Sequence, residues 1–65
     1  MKLVVNGEEL DIEAVTLATA LAALELKDAT VATALNGEFV PKRAREATPL
    51  RDGDRIEIVA PRQGG

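Results

Sequence analysis

This chain contains no cysteine, histidine, serine, tyrosine or tryptophan, and only one phenylalanine, Phe39. Without cysteine it has neither disulfides nor thiolate metal ligands, and without histidine it has no imidazole ligand or base. A fold without such staples must depend on well-patterned packing. Threonine, lysine and carboxylates are the only side chains left for nucleophilic or acid–base work. No catalytic residue and no metal site is therefore expected. One aromatic and a net charge of −3 argue against nucleic acid as a partner. No apolar run approaches the length of a membrane span, and Met1-Lys2-Leu3 leads straight into alternating residues without an apolar leader. A cytoplasmic protein with no membrane contact is the expectation.

What is present points to one small α+β domain. Sixty-five residues with 46% hydrophobic content suit a single domain with a small core. Lys2 to Asn6 and Glu9 to Glu13 alternate as strands, and Asn6-Gly7 between them is a type I′ hairpin signal. Thr16 to Leu26 reads as a helix with Thr16 as N-cap, because Leu17, Ala20, Leu21 and Leu24 form one apolar stripe. A helix starting at Asp11 would dissolve the second strand; the alternation Leu10-Asp11-Ile12-Glu13 favours the strand. Val31 to Leu35, a second Asn-Gly turn at Asn36-Gly37, and Glu38-Phe39-Val40 ended by Pro41 read as a second hairpin. Lys42 to Thr48 suits a helical turn or loop. Asp52-Gly53-Asp54 makes a tight turn into a last strand, Arg55 to Ala60, with Ile56 and Ile58 inward. The two aspartates lack the further ligands of a calcium loop. The first and last strands can run in parallel, side by side.

Charge is unevenly spread. Residues 1–28 hold six acids against Lys2 and Lys27, whereas residues 29–65 hold Lys42, Arg43, Arg45, Arg51, Arg55 and Arg62 against five acids. This pattern reads either as a solvated mixed surface or as a basic approach to the C-terminus that steers an acidic partner groove. The chain ends in Gly64-Gly65. A pair without Cβ atoms passes through a narrow channel and exposes a carboxylate that another protein can activate, although a frayed end has the same composition. Outward-facing positions include Val4, Ala32, Ala34 and Val59. Together with Phe39 or Val40 they would make a docking patch.

In order and in spacing these pieces resemble a known family. Asn6-Gly7, Thr16-Leu17, the run Ala34-Leu35-Asn36-Gly37-Glu38-Phe39-Val40-Pro41, the run from Leu50 to Val59 and Gln63-Gly64-Gly65 are similar to the ThiS-type sulfur carriers of thiamine biosynthesis. The resemblance covers essentially the whole chain. It implies a ubiquitin-like β-grasp fold: a mixed sheet of four to five strands packed on one helix over residues 1–60, and a flexible Gly-Gly tail over 61–65. It also implies a protein substrate and not an enzyme. A ThiF-like partner would adenylate Gly65 with ATP and Mg, neither of them bound by this chain. A sulfur-relay donor would convert the adenylate to a thiocarboxylate, and a ThiG-like thiazole synthase would receive the sulfur. Gly64, Gln63 and Arg62 would give partners access to Gly65, and Phe39, Val40 and Val59 are candidates for docking. The alternatives of the same shape are a molybdopterin-type sulfur carrier and a ubiquitin-like modifier joined to lysines. The chain departs from many relatives after Pro41, where Lys42-Arg43-Ala44-Arg45-Glu46-Ala47 stands in place of a segment with a bulky apolar or aromatic residue.

Overall fold

In the computed structural model, which describes residues 1–60, five strands form one mixed sheet and a short helix covers one face. The order along the chain is β1 (Lys2–Val5), β2 (Glu8–Asp11), α1 (Leu17–Ala23), β3 (Ala32–Leu35), β4 (Glu38–Val40), a 3-10 segment (Lys42–Ala47) and β5 (Arg55–Val59). Across the sheet the order is β2-β1-β5-β3-β4. The last strand thus lies in the centre, parallel to β1 and antiparallel to β3, as the pattern of the first and last strands predicts.

Both Asn-Gly pairs form two-residue turns. Asn6 and Asn36 each sit at φ 51°, followed by Gly7 at 84° and Gly37 at 87°. These left-handed values are open to Asn and Gly at little cost, which is what a type I′ turn requires. The tight turn pairs Val5 directly with Glu8, so β2 starts one residue earlier than its alternation suggests and stops at Asp11. Ile12 therefore leaves the strand and enters the core, its N–H donating to the Met1 carbonyl at 2.9 Å.

The helix begins where Thr16 marks it. The Thr16 hydroxyl accepts from the Thr19 N–H at 3.2 Å, and Thr19 Oγ1 accepts from the Thr16 N–H at 2.8 Å, a reciprocal capping box. It ends three residues short of the expected Leu26. The Glu25 N–H donates to the Ala22 carbonyl and the Leu26 N–H to the Leu21 carbonyl, with Glu25 left-handed at φ 62°. This is a Schellman closure with glutamate in the place usually held by glycine. Helical phase would carry Leu26 to the side opposite Leu17, away from the core, and the reversal at Glu25 avoids that placement.

Leu3, Val5, Ile12, Leu17, Ala20, Val40, Leu50 and Ile56 form the core between sheet and helix. Leu3, Leu17 and Ala20 are completely buried. The helix start is tied to the opposite loop, because the Leu17 N–H donates to the Thr48 carbonyl and the Leu50 N–H to the Val15 carbonyl, both at 2.9 Å. The Asp52-Gly53-Asp54 turn is held the same way. Asp52 Oδ1 accepts from the Lys2 N–H at 2.6 Å and Asp54 Oδ2 from the Arg51 N–H at 2.8 Å. Both aspartates therefore act as turn builders, in line with the turn reading.

Candidate functional site

The functional group expected from the sequence is the Gly65 carboxylate, and Arg62, Gln63, Gly64 and Gly65 lie outside the described residues. The described part of the chain is the mount up to Ala60. β5 is held on both sides: Ile56, Glu57, Ile58 and Val59 align with β3, and Arg55 and Ile56 with β1. The β1 pairing ends at Val5, where the chain turns away. One further rung is supplied by a side chain. Asn6 Oδ1 accepts from the Ile58 N–H at 2.8 Å and Asn6 Nδ2 donates to the Ile58 carbonyl at 3.1 Å. A carboxamide has one acceptor and one donor edge, as a peptide unit does, so it continues the parallel ladder where the backbone cannot. Sequence reasoning reads Asn6 only as a turn residue, and this second role was missed.

The outer face of the sheet, away from the helix, carries the candidate docking residues. Ala34 stands opposite Phe39 and Ala32 opposite Val59, so Phe39 and Val59 flank the two small residues of β3. Phe39 is 70% exposed and Val59 64%. Val40 does not belong to this patch. It pairs with Thr33, points into the core and is 8% exposed, because neighbouring strand residues face opposite sides and Phe39 takes the outer one.

Arg45 is a second correction. It is neither a solvated surface residue nor part of an exposed basic approach; only 7% of it is accessible. Its Nε donates to Thr33 Oγ1 at 3.1 Å and its Nη2 to the Val31 carbonyl at 2.6 Å. The Thr33 hydroxyl in turn donates to the Val40 carbonyl at 2.8 Å. The 3-10 segment has no large apolar residue to bury, and the long arginine stem fills that place while its head finds polar partners. The signal available in the sequence was the lack of any large apolar side chain between Pro41 and Leu50.

Among the described residues no group of three or more acidic side chains is arranged to hold a metal ion, and no helix is long and apolar enough to cross a membrane.

The ThiS family model matches residues 3–65. This chain belongs to the ThiS family. The ThiS-family membership expected from the motifs and the β-grasp fold expected with it both hold. The crystal structure of the thiamine biosynthesis protein ThiS from Geobacter metallireducens matches at a TM-score of 0.84 and 33% identity, covering 100% of both chains. An NMR solution structure of a thiamine biosynthesis protein from the same organism matches at 0.81 and 32% identity, over 100% of this chain and 88% of that one. A thiazole synthase from Paramagnetospirillum magneticum is 42% identical over 66 residues, which is 100% of this ThiS-family chain and 20% of that protein. The chain thus spans one fifth of the length of that curated relative.

Proposed function

We propose that this chain carries sulfur for thiazole formation in thiamine biosynthesis, with the Gly65 carboxylate as the carrying group. The observation behind this reading is that the family match runs through residue 65 and so includes the Gly64-Gly65 end. The chain is a substrate of its partners and not a catalyst. A carboxylate is a poor electrophile because its leaving group would be oxide. In the proposed first step a Gly65 oxygen attacks the α-phosphorus of Mg-bound ATP in a ThiF-like enzyme, and pyrophosphate leaves. In the second step a hydrosulfide equivalent from a relay donor attacks the acyl carbon and AMP leaves, giving the thiocarboxylate. A chain without cysteine has no thiol of its own, so its sulfur must be held on carbon in this manner.

A ThiG-like thiazole synthase is the proposed acceptor. A curated thiazole synthase that contains a stretch similar to this whole chain supports that pairing. Arg62, Gln63 and Gly64 would form the slender lead into the partner's active site. The outer patch with Phe39 and Val59 is the proposed docking surface, since these exposed side chains stand beside the small Ala34 and Ala32, with Glu57 on the same rung as Ala34, and have no cover among the described residues.

Intact mass measurement after incubation with a ThiF-like enzyme, ATP and a sulfur donor tests the reading. Replacement of one oxygen by sulfur, lost when Gly65 is deleted, is the expected result. Ligation to lysine would instead make the chain a modifier. Absence of any change with an enzyme active on another carrier would sink both. Phe39→Ala should raise the KM of the activating enzyme for this chain and leave kcat unchanged.

A further inference from the structure

On the helix side of the sheet, away from the outer patch, a groove of about 1100 Å³ runs between α1 and the 3-10 segment. Its charged lining consists of Lys27, Lys42, Arg43 and Arg45 against Asp28 and Glu46, an excess of two positive charges in a chain whose net charge is −3. Arg45 is the unusual member. An arginine with 7% of its surface accessible is normally matched by a carboxylate, because taking the charge out of water is costly. Among the described residues Arg45 makes no salt bridge, and both its hydrogen bonds go to uncharged groups, Thr33 Oγ1 and the Val31 carbonyl. These use Nε and one proton of Nη2. Nη1 makes no bond, yet no buried side-chain nitrogen lacks a partner, so Nη1 reaches the accessible surface. Arg45 lines the groove, so its buried positive charge lies beside that space.

We propose that this groove is a binding site for an acidic peptide segment of a partner protein, with one carboxylate seated on the free edge of Arg45. Planar carboxylate geometry matches two parallel N–H donors of the guanidinium, and such charge-assisted bonds are among the stronger polar contacts. The helix wall presents Ala18 and Ala22, one turn apart, and their small side chains let a peptide backbone come close. At about 1100 Å³ the groove is too large for a single ion. It also lacks the parts of a nucleotide site: the sole aromatic, Phe39, is on the opposite face, and no glycine lines the groove to offer backbone N–H groups to phosphate. Asp28 and Glu46 oppose a run of consecutive acids and favour acids separated by small residues. The site is independent of the sulfur chemistry proposed for Gly65 and would stand if that reading fell.

The test is a titration of the isotope-labelled chain with a short peptide of alternating alanine and glutamate, followed by NMR. Saturable shifts should gather at the Arg45 Nε–H, at Ala18 and Ala22, and over residues 42–46, and leave Phe39 and Val59 unmoved. The same peptide with glutamine in place of glutamate should bind about tenfold more weakly. Lys42→Ala with Arg43→Ala, both at exposed positions, should also weaken binding while the spectrum stays folded. Arg45→Lys should keep the fold and lose most of the preference for glutamate over glutamine, since a lysine ammonium cannot present the two-pronged edge. Shifts spread evenly over all exposed lysines and arginines, equal binding of the glutamine peptide, or saturation of the same resonances by inorganic phosphate at lower concentration would each overturn the proposal.

Discussion

The two hairpins of this sheet share a turn and differ in nearly everything they bury. β1-β2 and β3-β4 both close on Asn-Gly at the same backbone angles, and both lie against β5. In both, the asparagine side chain reaches across to that central strand. Asn6 brackets Ile58, near the C-terminal end of β5; Asn36 accepts from the Arg55 N–H at 3.0 Å and donates to Asp54 Oδ1 at 3.0 Å, at its beginning. Their inner faces diverge. The first hairpin presents Leu3 and Val5 to the helix, an all-apolar surface; the second presents Thr33 beside Val40, with Arg45 bonded to the threonine. Equivalent turns therefore serve two kinds of packing. Both halves take apolar surface out of water, and the second, with Val40 and Leu35 packed on the core, adds a small polar network that costs much if left incomplete.

The largest effect should come from the apolar half. Leu3→Ala leaves a cavity at a fully buried site and should cost about 2–5 kcal/mol. For a domain of this size the total is about 3–10 kcal/mol, so denaturant titration should find the variant close to unfolding. In the polar half, Thr33→Val keeps the shape but leaves the Arg45 Nε without its acceptor. A loss of about 1–3 kcal/mol is expected by the same titration, and Thr33→Ser should recover most of it. If Thr33→Val proves neutral, the network contributes packing only and the contrast between the halves collapses.

The asparagines sharpen the comparison at a finer level. Asn6→Gly and Asn36→Gly keep the left-handed turn and remove only the side chain, so each should cost roughly 1 kcal/mol. Hydrogen exchange should separate them: the Ile58 amide should speed up in the first variant and the Arg55 amide in the second. Acceleration of both amides in both variants would mean that β5 frays as one unit. The smallest effect is expected at the rim of the first hairpin, where the Met1 ammonium and Asp11 form an exposed ion pair at 3.3 Å. Asp11→Asn should change stability by less than about 1 kcal/mol, and salt should reduce even that.

How far the sequence disclosed this structure depended on the range of the interaction. Asn-Gly turns, the Thr16 cap and the stop at Pro41 are decided within a few residues, and each was read correctly. The reach of Asn6 to Ile58 spans 52 positions, and no local pattern announces it. Phe39 and Val40 illustrate a different limit. Two adjacent apolar residues in a strand must face opposite sides, and only pairing with Thr33 decides which one is buried. The helix end was misjudged because Leu24 and Leu26 look like a continued apolar pattern and no glycine marks the reversal at Glu25. At the candidate site, the outer apolar patch was legible from alternation apart from Val40. The burial of Arg45 was not, since charge alone argues for the surface.

Placing the last strand in the middle of the sheet also constrains synthesis. Neither hairpin pairs with the other; each finds its neighbour only in β5. A chain made only as far as residue 40 offers no strand to sit between β1 and β3, and the sheet can close only once Arg55 to Val59 is available. Chains stopped before that point expose the inner faces of both hairpins and are open to proteolysis. A partner that recognises the assembled sheet therefore depends on the fifth strand being in place.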